Sequence, residues 1–500
     1  MFRKVLVANR GEIAVRIIRA LRERRIPALA VYSDADRGAL HVRMAQEAEY
    51  IGAAPSHESY LRIDRLIAAA KKHGADAVHP GYGFLSENAE FAAACEEEGL
   101  IFIGPSARSI KRLGSKTAAR QLAKSAGVPV VPGTEDPVTD PEQARRIARE
   151  IGYPVLLKAS AGGGGKGMRR VDRDEDLEAA IRDAASEAER AFGSAEVYIE
   201  KLIIDPRHIE IQLLGDRHGN LVHLGERECS LQRRHQKVVE ECPSPLSAVR
   251  PELRSEMGEA AIAVARAAGY FNAGTAEFIV DQEGRFYFLE MNTRLQVEHG
   301  VTELVTGLDL VHLQLHVADG GTLPISQSDI SWRGVAIECR VCAEDPDAGF
   351  LPSGGRVLQL DEPSGPGVRV DSGLYRGYEV PFEYDPMLAK LMVWAGDRPA
   401  AIARCRRALE EYAIVGVKTN LAFLRQVMDD REFASGRLHT GFIPLFMERR
   451  PVIGSSPELE EMAALVAAAH VRAKSVNGTH ATAPTPGGRW VRNGRAEAMR

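Results

Sequence analysis

Residues 286–299 read FYFLEMNTRLQVEH, with Glu290, Asn292, Arg294, Gln296 and Glu298 at every second position and Leu289, Met291, Leu295 and Val297 between them. Period two is the mark of a strand, because successive side chains of a pleated strand point to opposite faces. A helix accounts for part of the pattern, since Glu290, Arg294 and Glu298 fall at i, i+4 and i+8 and could form a salt-bridged face. The β-type run Phe286, Tyr287, Phe288 that leads in favours the strand. A solvated strand face tends to carry Lys, Thr and Ser; two carboxylates, a guanidinium and two amides suit cations and small oxyanions instead.

A second carboxylate lies one strand upstream. Glu277 in AGTAEFIV and Glu290 in FYFLEMN sit on segments joined by a turn around DQEG. Hairpin strands can set two such groups side by side, an arrangement that is unfavourable unless a cation lies between them. With Asn292 as a third oxygen donor, the set points to Mg²⁺ bridging phosphates rather than to zinc. LLKASAGGGGKGM, residues 156–168, supplies the matching phosphate element, since four consecutive glycines let backbone N–H groups approach phosphate oxygens. It is not a P-loop, because Gly167 follows Lys166 where Ser or Thr is required and Ser160 stands where the first glycine would be. Lys158, at the end of the strand before the loop, adds a cation aimed at the same place.

The remaining chain divides around this centre. KVLVANRG followed by EIAVRIIRALRERR reads as a buried strand, a turn and an amphipathic helix with Ile13, Ile17, Ile18 and Leu21 on one stripe. ALAVYS, AVHPGYG and IFIGPS recur as short apolar runs between helical segments, which predicts a doubly wound α/β domain over 1–113. No G-x-G-x-x-G follows its first strand, so dinucleotide binding is disfavoured. Residues 114–330 read as mixed α and β with hairpins such as HIEIQLLGDRHGNLVHLGERE, turning at Asp216 to Asn220. An α+β domain is expected over 331–447. The tail, 448–500, carries one expected helix from Ser456 as N-cap, with Leu459, Met462, Val466 and Ala469 on one side, then the linker-like NGTHATAPTPGG.

Composition limits the function classes. The 500 residues are about 45% hydrophobic and 27% charged, with a formal charge of −5, which gives no bulk reason to expect nucleic acid or an anionic membrane as partner. No segment reaches the roughly 18 apolar residues of a membrane span, and six scattered cysteines form no disulfide framework, so a cytoplasmic protein is expected. Cys339 and Cys342 form C-x-x-C, but in a strand residues three apart face opposite ways and no second pair completes a zinc site.

Taken together, NRGEIAVRIIRA, HPGYGFLSEN, GSK, KASAGGGGKGM, RHIEIQ, ERECSLQRRHQKVVEE and FLEMNTRLQVEHGVTE resemble the biotin carboxylase family of ATP-grasp ligases, and GVAIECRVCAEDP, YDPMLAKL and GVKTNLAFL extend the likeness to about residue 447. The resemblance implies a three-domain architecture of α/β and α+β class, with a central ATP-grasp fold and a lid over about 130–203. It implies that Lys116, Lys158, Gly162, Gly163, Gly164, Gly165, Lys166 and Met168 bind ATP, with Glu200, Lys201 and Ile203 toward the adenine, His208 near the ribose, and Gln232, His235 and Ile279 also at the nucleotide. Glu277, Glu290 and Asn292 would hold two magnesium ions, with manganese as an alternative. Lys237, Arg294, Gln296, Val297 and Glu298 would surround bicarbonate, Glu298 as general base, and Tyr82 and Arg340 would meet biotin. Lys166 stands where many relatives carry Arg.

The resemblance further implies two kinds of partner, a biotin carboxyl carrier protein and a carboxyltransferase subunit. Relatives with a carrier domain on the same chain present the biotinyl lysine as Ala-Met-Lys-Met, a motif that does not occur here; Lys474 lies between Ala473 and Ser475. Biotin is therefore expected on a separate protein. RIIRALRE, with Arg16, Arg19 and Glu23, resembles a dimer-contact segment, so a homodimer is expected. An acyl-CoA carboxylase is the first reading and a two-subunit pyruvate carboxylase the nearest alternative. Another ATP-grasp ligase would not need the QVEH row or Arg340, and a silent regulatory subunit would be expected to lack at least one of the charged residues above.

Overall fold

The computed structural model describes residues 2–134, 137–138, 140–159, 168–192 and 196–451, together with 461–462, 464–466 and 468. Met1–Arg449 form one compact unit and Arg450–Arg500 a second.

The first unit begins with five parallel strands in the order Glu47–Gly52, Ala28–Ser33, Val5–Val7, Ala77–His79, Ile101–Phe102. The chain starts in the middle of this sheet and winds outward both ways, as the short apolar runs predict. The helix Gly11–Glu23 buries the predicted stripe completely, Ile13 at 2% and Ile17, Ile18 and Leu21 at 0% exposure.

One antiparallel sheet of eight strands then carries most of the remaining chain, in the order Phe286–Asn292, Asn272–Val280, Arg207–Gly215, Leu221–Arg233, Gln236–Cys242, Val335–Cys342, Met387–Ala395, Val368–Ser372. Its hairpins close where polar turn residues were expected. Asp216 Oδ1 accepts from the His218 and Asn220 amides at 2.8 and 3.0 Å, and Asp281 Oδ1 accepts from those of Glu283 and Arg285 at 3.1 and 2.8 Å. The sheet crosses the expected division at 330/331, since Val239 pairs with Cys339 and Glu240 with Glu338. That division interrupts the sequence but not the ladder.

Leu231, Val239, Ile337, Cys339, Val341, Leu391 and Val393 face the helices Arg398–Glu411, Leu421–Asp429 and Phe442–Arg449 in one core cluster. The neighbour of Cys339 is Cys405, Sγ to Sγ 3.6 Å, and not Cys342, as strand alternation requires. The strands Met168–Val171, Val155–Ala159 and Val197–Lys201 make a separate small sheet. The helices Pro141–Ile151 and Asp174–Phe192 pack on it over Ala144, Val155, Leu157, Leu177 and Ile199.

In the second unit, residues 461–462, 464–466 and 468 are helical, and Met462 and Val466 are exposed. The other tail residues read as helix or linker, Ser456 and Leu459 among them, lie outside the described residues.

Candidate active site

The alternating row does not stay a strand. Its ladder ends at Asn292, residues 293–298 form a connecting turn, and the helix His299–Thr306 begins immediately after. Only Glu290 and Asn292 of the five polar residues therefore stand on the strand. The other three reach the same place through the turn, held by side-chain hydrogen bonds. Arg294 Nη2 donates to Asn292 Oδ1 at 3.1 Å, Nη1 to Gln296 Oε1 at 2.9 Å, and Nε to Glu87 Oε2 at 2.9 Å, which ties the turn to the N-terminal α/β region.

Register builds the next layer. Glu290 lies directly across from Glu277, Glu277 from Glu210 and Glu210 from Arg227, one row over four strands; Asn292, Thr275 and Gln212 form the row beside it. The side-by-side carboxylates expected of the hairpin are thus present. Arg227, fully buried, donates to Glu210 Oε1 at 2.5 Å, Gln212 Oε1 at 2.6 Å and Thr275 Oγ1 at 3.1 Å. A wholly desolvated guanidinium is tolerable only because its donors are so fully used.

Lys237 is the hub. Its Nζ lies 2.5 Å from Glu210 Oε2, 3.0 Å from Glu277 Oε1 and 2.7 Å from Glu298 Oε1. Burial works against its charge, but the three carboxylates keep the ammonium well above the usual lysine range. Glu298 is the mirror image. Burial would push its carboxyl up, yet Lys237, Arg340 and Arg227 hold it well below the usual carboxylate range, so it is ionised. Its second oxygen takes Arg340 Nη2 at 2.9 Å. Glu277 behaves likewise, with Lys237 and His208 outweighing burial. Asn292 Nδ2 and Gln296 Nε2 also donate to Glu277 Oε1, at 2.8 and 3.3 Å.

Lys237, Arg294, Val297 and Arg340 open onto a cavity of about 510 Å³, together with Tyr82. The Tyr82 hydroxyl is buried and has no hydrogen-bond partner among the described residues. Glu277, Glu290 and Asn292 suit a hard cation, since all three offer oxygen and two are carboxylates forced into register.

The residues expected at the nucleotide are more dispersed. Lys158 pairs with Glu200, which also takes Arg120. Lys201 Nζ donates to the Gly152 and Tyr153 carbonyls at 2.8 and 3.1 Å, and Ile203 follows in the connection after that strand. His208 Nδ1 lies 2.8 Å from Gln232 Nε2, its Nε2 lies 3.1 Å from Glu277 Oε2, and Ile279 is its partner in the ladder. His235 is exposed at the tip of the hairpin formed by Leu221–Arg233 and Gln236–Cys242. Lys116 opens the helix Lys116–Ser125 and Met168 opens a strand. Gly162 to Gly165 and Lys166 lie outside the described residues, as do the side chains of Lys116 and Met168.

Glu210, Arg227, Glu240 and Glu87 were not singled out from sequence. Glu210 had a usable signal, because it stands two residues after His208 on the same strand and so shares its face. Glu87 had none, since it reaches the site across 207 residues of sequence.

Family comparisons agree with this layout. Residues 1–110 match the model of the biotin carboxylase N-terminal domain, 115–326 the ATP-binding domain of the carbamoyl-phosphate synthase L chain, and 338–444 the biotin carboxylase C-terminal domain. The chain belongs to the biotin carboxylase family. It is 52% identical to biotin carboxylase 1 of Bacillus subtilis over 89% of this chain and 99% of that protein. It is also 52% identical to a pyruvate carboxylase subunit of Methanothermobacter thermautotrophicus, over 92% and 94% of the two chains. Among solved structures, the Campylobacter jejuni biotin carboxylase complex with β,γ-ATP superposes with a TM-score of 0.83 at 47% identity, covering 89% of this chain and 99% of that one. As a biotin carboxylase family member, the protein is an ATP-dependent carboxylase of the ligase class. Among the described residues, no helix is long and apolar enough to cross a membrane.

Proposed function

We propose that the chain carboxylates biotin, presented by a carrier protein, at the expense of ATP and bicarbonate and by way of carboxyphosphate. The observation that carries this reading is the sharing of one buried, ionised carboxylate, Glu298, between Lys237 and Arg340 at the wall of the cavity. Bicarbonate would exchange into this ion network. Lys237 and Arg294 position it, Gln296 and Val297 complete its surroundings, and Glu298 removes its proton.

A bicarbonate oxygen then attacks the γ-phosphorus of ATP and ADP leaves. Lys116, Lys158 and the 162–166 loop hold the phosphates, under a lid formed by about 130–203. Glu200, Lys201, Ile203 and Met168 frame the adenine, while His208, Gln232, His235 and Ile279 complete the nucleotide site. Glu277, Glu290 and Asn292 would hold magnesium, which neutralises phosphate charge when bound. Carboxyphosphate breaks down to CO₂ and phosphate, the released phosphate takes the ureido N–H proton of biotin, and the nitrogen so exposed captures the CO₂. Arg340 stabilises the biotin enolate, with Tyr82 beside it, inside a site shielded from water.

Three features of the relatives extend the reading. The biotin carboxylase domain of the 2-oxoglutarate carboxylase of Hydrogenobacter thermophilus is a dimer with MgADP and bicarbonate, which supports the same ligands and a homodimer here. Of the expected contact residues, Arg19 and Glu23 are exposed, whereas Arg16 is buried with its guanidinium paired to Glu303 and Asp309 of this chain. The relatives include pyruvate, methylcrotonoyl-CoA and propionyl-CoA carboxylase chains, so the final acceptor depends on a carboxyltransferase partner. An acyl-CoA remains the first acceptor to test.

The deciding experiment is ADP release by purified protein with Mg-ATP, with and without bicarbonate and free biotin. Release that requires bicarbonate and rises with biotin supports the reading. No response to either would overturn it in favour of a silent subunit.

A further inference from the structure

The strand Gln236–Cys242 carries two consecutive buried glutamates that the proposed chemistry leaves unused. Glu241 faces Arg398, whose Nε and Nη2 donate to it at 2.7 and 2.8 Å. Glu240, with no exposed surface, faces the site and takes Arg340 Nε on its Oε1 at 2.6 Å. Glu338 stands directly opposite in the ladder, equally buried, with no hydrogen-bond partner for either carboxyl oxygen among the described residues. Burial pushes Glu338 well above the usual range, so of the two carboxyl groups it is the one that keeps a proton. Burial pushes Glu240 up as well, to about 7, while the Arg340 guanidinium bonded to it favours its anion.

Arg340 is therefore gripped at both ends of its guanidinium, by Glu240 at Nε and by Glu298 at Nη2. The two grips differ in permanence. Glu298 must change partners if it is to deprotonate bicarbonate, whereas the proposed chemistry asks no such step of Glu240, which can keep its bond to Arg340 throughout. We propose that Glu240 is the positioning residue of the biotin step: it keeps Arg340 aimed into the cavity while Glu298 is engaged with bicarbonate. The proposal rests on the functional reading above.

The test compares Glu240→Gln, Glu240→Asp and Glu241→Gln in the full chain, measuring bicarbonate-dependent ADP release with and without free biotin. Gln keeps the shape of Glu240 but replaces the ion pair with a bond from the charged guanidinium to a neutral acceptor. The ratio of biotin-stimulated to biotin-independent turnover should fall about tenfold, which about 1.4 kcal/mol of lost transition-state stabilisation produces. Glu240→Asp, which restores the charge at shorter reach, should recover part of that ratio. Glu241→Gln, which weakens an equally buried pair away from Arg340, should lower the melting temperature but keep the wild-type ratio.

An unchanged ratio in Glu240→Gln, or an equal loss of both reactions, overturns the proposal. If Glu240→Gln does not fold, Glu240→Asp decides: a wild-type ratio there overturns it too. Wild-type protein with no biotin response at all would instead sink the functional reading, and this proposal with it.

Discussion

Replacing Glu298 by Gln tests the centre of the site with the smallest change of shape. The two carboxylate oxygens each serve one cation, Lys237 at 2.7 Å and Arg340 at 2.9 Å. An amide has one acceptor oxygen, so one of the two cations would face an N–H group instead. Losing a hydrogen bond to a charged group costs roughly 1.5–3 kcal/mol. Lys237 would retain Glu210 and Glu277, and Arg340 would retain Glu240, so the fold survives. The chemical loss is larger, because the amide cannot accept the bicarbonate proton; removal of a general base costs on the order of 10²–10⁴ in rate. Bicarbonate-dependent ADP release should fall by at least about a hundredfold. Because the wild-type carboxylate is held well below its ordinary range, it is ionised throughout the neutral range and its protonation should leave no mark on the wild-type pH profile there. A fall of less than about tenfold would refute the general-base role of Glu298.

Three further outcomes follow from neighbouring contacts. Glu277→Gln should raise the magnesium concentration needed for half-maximal activity by at least about tenfold, since even indirect supports of metal ligands cost roughly 10–100-fold; an unchanged requirement would remove Glu277 from the metal site. Glu12 is buried with neither oxygen hydrogen-bonded, its nearest cation Lys390 Nζ at 3.5 Å, and burial pushes its carboxyl from 4.5 up to about 7 against that lysine. Between those values the native state holds a proton that the unfolded state has released, so this group makes stability fall as pH rises through the window, by up to about 3 kcal/mol. Denaturation of Glu12→Gln across that range should show a flatter decline than wild type, and parallel curves would refute the assignment. Deleting residues 452–500 should weaken assembly with carboxyltransferase or carrier subunits while sparing turnover of free biotin; loss of that turnover would show that the tail serves the site itself.

The local elements were legible from sequence because each depends on residues close along the chain. A stripe at helical spacing predicted the buried face of Gly11–Glu23. Aspartates followed by small or polar residues predicted the two hairpin turns, and period two predicted that Glu277 and Glu290 would stand on paired strands. The ordered motifs also identified the family and most charged residues now seen around Lys237.

What sequence could not settle was which residues share a face once the ladder is interrupted. Counting by twos puts Lys237 with Glu241 and opposite Glu240. The structure does the reverse, because the register slips between Leu231–Val239 and Gln232–Lys237, and one extra residue in a strand inverts every later side chain. Lys237 and Glu240 thereby meet around Glu298 and Arg340, while Glu241 turns away to Arg398. The same limit applied to FYFLEMNTRLQVEH. Its alternation persists in sequence past Asn292, but Arg294, Gln296 and Glu298 are placed by a turn tied to Glu87, Lys237 and Arg340 from distant segments. Sequence by itself determined the family, the strands, the helices and the charged residue types. Only the tertiary structure decided which charges face one another, because a bulge or a turn reverses facing at almost no local cost and is selected by the partners it brings together.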